Sequence, residues 1–274
     1  MTTASIHHVA VGDTRLAVHS AGSGVPLLLL HGFPLDHTMW AGQEPLAKHL
    51  RLIAPDQRGF GASTGAGPTG MEQLADDAAA LLAALHCGPA VVCGLSMGGY
   101  VAQHLAVRHP GRVAALVLAD TKLEADTPEA RAARVDLSAK VGRLGQRIVA
   151  DAMVPRLLAA SPEARTADRP GIEAALRAAI ERQPVATIQA ALAALGCRPD
   201  MTDAVRHVRV PTLLVVGAED AITPPACMEA AVAVMPHARL LVVPRAGHMV
   251  PLEAPDVFNR AVLEFLTEAR VHPA

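Results

Sequence analysis

Aromatic side chains are scarce in this sequence: one Trp, one Tyr and four Phe, 2% of 274 residues. Any binding pocket is therefore expected to be lined by Leu, Val, Met and Ala. An excess of one charge is missing too. The 24 basic and 26 acidic residues leave a net charge of −2, with no basic run, which argues against a nucleic-acid partner. The most compact apolar run, Leu27 to Leu30, is far too short to span a membrane. The opening residues, MTTASIHHVAVGDTRLAV, lack a charged start, an apolar stretch and a small-residue cleavage site, so no signal peptide and a cytoplasmic location are expected. Cys87, Cys93, Cys197 and Cys227 lack metal-ligand spacing and are expected as buried thiols rather than disulfides. There is no HExxH, His7-His8 falls on an expected edge hairpin, and His104 and His109 are five apart, so they do not share a helix face. No metal site is expected. The phosphate-cradling patterns GxxxxGK and GxGxxG are also missing, and no cofactor is expected.

What is there is apolar, at 51% hydrophobic residues, which is enough for a large core. IHHVAV and TRLAVHS flank Gly12-Asp13 and read as a β-hairpin. LLLL at 27–30, RLIAP at 51–55, AVVC at 90–93 and RVAALVLA at 112–119 read as strands, the first buried on both faces. Residues 71–86 and 97–109 show helical spacing, stopped by Gly88-Pro89 and by His109-Pro110-Gly111. Alternation of this kind implies a mostly parallel sheet with helices on both faces. From 121 to 206 the rhythm breaks into helices and loops, beginning at an N-cap candidate, Thr127, with Pro128 at the first helical position. Strands resume at 210–217 and 238–244, with helices near 224–235 and 254–268. The expected organisation is a core of residues 1–120 and 207–274 interrupted by an all-helical segment, 121–206.

The stretch VVCGLSMGGYVAQHLA, residues 91–106, places a serine between two glycines where a strand gives way to a helix. A serine hydroxyl is a poor nucleophile unless a base takes its proton. A sharp strand-to-helix turn holds the serine clear of the sheet, and the chain packs so closely there that Gly94 and Gly98 must lack side chains. The base and the acid are expected later in the chain, in the order Ser, acid, His. Strand 210–217 ends in Gly217-Ala218-Glu219-Asp220, and strand 238–244 ends in Pro244-Arg245-Ala246-Gly247-His248. Both ends lie at the carboxyl edge of the sheet, where Ser96 also lies and where such sheets bind ligands. His248 is the expected base and Asp220 the expected acid, with Glu219 and Asp120 as rival acids. The oxyanion donors are expected to be the backbone N–H of Met97 and, in the loop His31-Gly32-Phe33-Pro34, that of Phe33. Pro34 cannot donate.

HGFPLDHTMW (31–40), APDQRGFGAS (54–63), GLSMGG (94–99), GAEDAITPP (217–225) and AGHMVPLEAP (246–255) together resemble the α/β-hydrolase family, in particular its serine esterase and lactonase group, such as 3-oxoadipate enol-lactonases and generic carboxylesterases. The resemblance implies a central sheet of about eight strands, with the 121–206 helices as a cap between the sixth and seventh strands. It implies a Ser96–His248–Asp220 triad acting on a small-molecule ester or lactone through an acyl-enzyme, in a monomer or homodimer. Family members with an aspartate nucleophile are set aside by Ser96. Asp56 and Arg58 are expected to fix loops. Arg131, Arg134 and Arg143 are candidates to hold a substrate carboxylate. Trp40, which follows the oxyanion loop, is expected near the pocket entrance or, as the alternative, packed under the sheet edge. Alternatives with the same triad are a cofactor-free perhydrolase and a C–C bond hydrolase. The alternative of another class is a ligand-binding regulator.

Overall fold

The computed structural model describes residues 5–164 and 168–271. Eight strands form one sheet: β1 (Ser5–Val11), β2 (Thr14–Ala21), β3 (Val25–Leu30), β4 (Leu50–Pro55), β5 (Ala90–Leu95), β6 (Val113–Ala119), β7 (Thr212–Gly217) and β8 (Ala238–Val243). Their order is β1-β2-β4-β3-β5-β6-β7-β8. The β1–β2 and β2–β4 pairs are antiparallel and the remaining pairs are parallel. The expected hairpin closes at Gly12, whose φ of 55° suits the two-residue turn between Val11 and Thr14. Leu27, Leu28, Leu29 and Leu30 of β3 are all buried, each contributing on the order of 2 kcal/mol relative to exposure. Both faces of β5, β6 and β7 are buried as well, as a parallel sheet covered on both sides requires.

Helices α1 (Met71–Ala84) and α2 (Met97–Arg108) follow β4 and β5. Between β6 and β7 the chain forms helices and no strand among the described residues: α3 (Pro128–Leu144), α4 (Arg147–Leu157), α5 (Arg169–Glu181) and α6 (Val185–Cys197). The Thr127 side chain caps α3 by accepting the Ala130 N–H at 3.2 Å, as its position predicts. Helices α7 (Pro225–Val234), α8 (Val250–Glu253) and α9 (Pro255–Glu268) complete the chain. The 3-10 stretch His37–Lys48 leaves no periodic signal, because Gly42 and Pro45 interrupt it. Among the described residues no helix is long and apolar enough to cross a membrane. All four cysteines are free; Cys87 and Cys93 are buried, but Cys197 is exposed and Cys227 half-buried, so the expectation of buried thiols holds for only two.

β3 lies between β4 and β5, so the chain turns one way after β3 and the other way before β5. The loops after β3 and β5 therefore flank a topological switch point, where α/β sheets bind ligands.

Candidate active site

Ser96 ends β5 and caps α2 with φ 53° and ψ −111°. A serine in this sparsely populated region stores on the order of 1–3 kcal/mol of strain, which the surrounding packing must hold. A Cβ at Gly94 would lie 2.1 Å from Gly98 O, and one at Gly98 would lie 2.0 Å from Leu30 O. Neither position can carry a side chain. The Ser96 N–H donates to Ala119 O at 2.9 Å, and Ser96 O accepts from the Tyr100 N–H and the Thr121 hydroxyl. The main chain of the serine is thus pinned to the end of β6. Met97 is the first residue of α2, where an N–H has no intrahelical partner.

The loop after β3 comes up against this turn. A Cβ at Gly32 would lie 2.8 Å from Leu95 Cδ2 and 3.6 Å from Ser96 Cβ. His31 holds the loop from beneath: its Nε2 accepts the Gln57 N–H at 2.9 Å, so its Nδ1 carries the proton and donates to Gly32 O at 3.0 Å. Burial drives the His31 pKa down and keeps it neutral. Among the described residues the Phe33 N–H has no hydrogen-bond partner.

Asp220 and His248 meet as expected. Asp220 Oδ2 accepts from His248 Nδ1 at 2.8 Å. The same carboxylate accepts the Ile222 and Thr223 N–H groups at 2.8 and 3.0 Å and the Thr223 hydroxyl at 2.8 Å. Burial pushes the Asp220 pKa up, but His248 and these donors outweigh it and hold Asp220 below the usual carboxylate range. The rival acids are occupied elsewhere. Asp120, fully buried with φ 46°, accepts the Gly217 and Val250 N–H groups at 3.0 and 3.3 Å. Burial and the neighbouring Asp220 charge push its pKa well up. Glu219 turns away to Ser161, 2.7 Å from its hydroxyl. Ser96 Oγ makes no hydrogen bond to His248; Ser96 follows β5, Asp220 follows β7 and His248 follows β8, with β6 lying between β5 and β7. Ala119 O holds the Ser96 N–H, and Asp120 accepts from Gly217, ahead of Asp220, and from Val250, just after His248.

A crevice of about 440 Å³ runs between α5 and the 3-10 stretch, lined by Leu35, Met39, Leu176, Ala179 and Leu252 among others. Met39 Sδ accepts the Gly32 N–H at 3.4 Å, so this crevice backs directly onto the loop after β3. Among the described residues its polar lining is Thr38 and Asp168.

Other expectations divide. Arg58 is buried and grips Asp77 through two bonds, 2.8 and 2.7 Å, and Asp13 at 2.7 Å. Asp56 accepts the His37 and Ala62 N–H groups. Both fix loops, as expected. Arg134 is paired with Asp126, while Arg131 and Arg143 stand exposed on α3. Trp40 is not at an entrance. It is 3% exposed and packs on Phe258 of α9, ring centres 6.4 Å apart, because the 3-10 stretch that follows the loop after β3 packs against α9. Asp36, His37 and Asp56 bring possible metal-ligand atoms within 4.8 Å of one another. Each carboxylate oxygen there already accepts from Arg182, Gln183, Thr38, His37 or Ala62, so the cluster is a hydrogen-bond network.

The sequence did not point to Arg182, Gln183 or Thr187. They bond to Asp36, to the Gly61 N–H and to Gly59 O across the sheet edge, and partners so distant in sequence leave no local signal.

The alpha/beta hydrolase fold family matches residues 25–255. The chain belongs to this family. A thermophilic esterase from Thermogutta terrifontis, solved with malate bound, is 39% identical and superposes with a TM-score of 0.90 over 97% of this chain and 99% of its own. The enol-lactonase from Burkholderia xenovorans LB400 is 29% identical, with a TM-score of 0.86 over 95% of this chain and 100% of its own. A pimeloyl-(acyl-carrier protein) methyl ester esterase of Aromatoleum aromaticum is 36% identical over 84% of this chain and 93% of its own. This α/β-hydrolase is thus an enzyme with esterase and lactonase relatives.

Proposed function

We propose that this α/β-hydrolase cleaves carboxylic esters or lactones through an acyl-enzyme, with Ser96 as nucleophile, His248 as base and Asp220 as acid. The observation that carries this is the 2.8 Å bond from His248 Nδ1 to Asp220, at the same sheet edge as a strained serine whose hydroxyl is free. With its Nδ1 proton committed to Asp220, His248 presents Nε2 as an acceptor. It takes the Ser96 proton as Oγ attacks the carbonyl carbon, then returns it to the leaving alkoxide. The N–H groups of Met97 and Phe33 hold the oxyanion. Water then attacks the acyl-enzyme by the same proton route. The α3–α6 segment acts as a cap, and the apolar crevice beneath α5 suits an uncharged substrate group. Four free cysteines fit a cytoplasmic setting.

The test is hydrolysis of short and medium p-nitrophenyl esters and small lactones by wild type and Ser96→Ala. Wild type is expected to turn over a subset, and Ser96→Ala to lose about 10⁴-fold or more in kcat. Equal activity in the variant removes Ser96 as nucleophile. No turnover of any ester or lactone by wild type rejects the hydrolase reading.

A further inference from the structure

The base loop is held by the helical insertion as well as by the core. The His248 N–H donates to Leu157 O, at the end of α4, at 2.9 Å. Glu253 then brackets the histidine: its Oε1 accepts the Gly247 N–H at 2.8 Å and the Met249 N–H at 3.4 Å. Its other oxygen, Oε2, accepts the Ala159 N–H at 2.8 Å. One carboxylate therefore joins both neighbours of His248 to the segment between α4 and α5. The acid loop does the same one residue before Asp220. Glu219 accepts the Ala160 N–H at 3.1 Å, the Ser161 N–H at 2.9 Å and the Ser161 hydroxyl at 2.7 Å. The fit is close: a Cβ at Gly247 would lie 2.5 Å from Ala159 N and 2.7 Å from Leu158 C. On its far side the Ala159 carbonyl accepts from Arg169 of α5.

We infer that Glu253 is a positioning residue which, with Glu219, couples the place of His248 to the seating of residues 157–161 of the insertion. This rests on the reading of His248 as the base. Leu158, Ala159, His248 and Met249 are each 3% exposed or less, so water cannot readily replace the carboxylate. Removing it strands the Ala159, Gly247 and Met249 N–H groups, and an unmet buried donor is costly enough to move a loop. Neither glutamate touches the reacting atoms. Their effect passes through the place of the imidazole, where an error of about 1 Å can cost on the order of 10²-fold in rate. The insertion is on this account part of the catalytic arrangement.

Glu253→Ala, Glu253→Gln and Glu219→Ala would be compared with wild type for kcat and KM on a short p-nitrophenyl ester and for thermal midpoint. The low-field proton resonance of the His248–Asp220 bond would be recorded alongside. Glu253→Ala is expected to lower kcat by about 10–100-fold with KM within about threefold, and to broaden or shift the resonance. Glu253→Gln keeps one carbonyl acceptor but turns its NH2 toward the remaining N–H, so it lowers kcat by less than Glu253→Ala but measurably, and Glu219→Ala has the same effect more weakly. A folded Glu253→Ala with unchanged kcat and resonance overturns the inference, as does a loss confined to KM or the thermal midpoint. If Glu253→Ala does not fold, Glu253→Gln and Glu219→Ala decide between the same outcomes. If wild type cleaves no ester, the hydrolase reading fails separately, and the resonance alone decides whether the insertion sets the histidine.

Discussion

The insertion meets the core along two seams built from opposite materials. On the side of the loops after β3 and β4 its side chains reach into the core: Arg182 and Gln183 onto Asp36, and Thr187 onto Gly59 O. On the side of Asp220 and His248 the core's carboxylates, Glu219 and Glu253, reach out to the insertion's main chain. The first seam depends on which residues the insertion carries. The second depends mainly on the path its backbone takes through 157–161. Substitution in the insertion should therefore be felt at the first seam, and changes of length or path at the second.

The carboxylates also titrate in opposite directions. Burial pushes Asp36 up, but the Arg182 guanidinium and the Thr38 hydroxyl outweigh it and hold Asp36 far below the usual range. Burial pushes Glu253 up too, and there the backbone donors at Ala159, Gly247 and Met249 and the more distant Arg169 charge do not outweigh it. A hydrogen-bonded guanidinium offsets desolvation where peptide dipoles and a more distant charge do not.

The comparison can be broken most sharply at Asp36. Asp36→Ala leaves Arg182 and the buried Gln183 without their shared acceptor. With Arg182 itself 43% exposed, the expected loss is about 2–3 kcal/mol, or roughly 5–10 °C in thermal midpoint, measured by calorimetry. Next in size is pH dependence, read from urea midpoints between pH 7 and 3.5. The folded pKa of Asp36 is depressed, so its advantage over Asp36→Asn is complete above its usual 3.8 and shrinks as pH falls below that. The folded pKa of Glu253 is raised, so wild type gains on Glu253→Gln as pH falls from neutral through that raised value to the usual 4.5. Gaps that move in the same direction would show that the seams do not differ in this way. The smallest effect is at Arg143, exposed and away from both seams. Arg143→Ala should change stability by less than about 0.5 kcal/mol and leave KM for esters of dicarboxylic acids unchanged; a rise in KM would restore it as a substrate ligand.

Strand ends and the serine turn were legible in the sequence because their causes are local. Gly94 and Gly98 flank a β-branched run and a helix start, and close packing leaves no other residue possible there. Asp220 is the residue the sequence favours over its rivals Asp120 and Glu219, all three at strand ends on the same edge, and of the three it is Asp220 that bonds to His248. Trp40 has two placements open in the sequence, entrance or packed, because nearness to His31-Gly32 does not fix the direction of a 3-10 stretch. The seams could not be read at all. Asp36 and Arg182 are 146 residues apart, and neither carries a pattern that names the other.

Strand β6 pairs with β7 from Leu116 opposite Thr212, with the whole insertion between them. At about 5–20 residues per second, a ribosome needs roughly 5–20 s to make that interval. For those seconds VAALVLA has a neighbour on one side and an open edge on the other, the kind of edge that recruits strands from other chains. The helices that hold the histidine in the finished protein are, during its synthesis, the time for which a half-built sheet must wait.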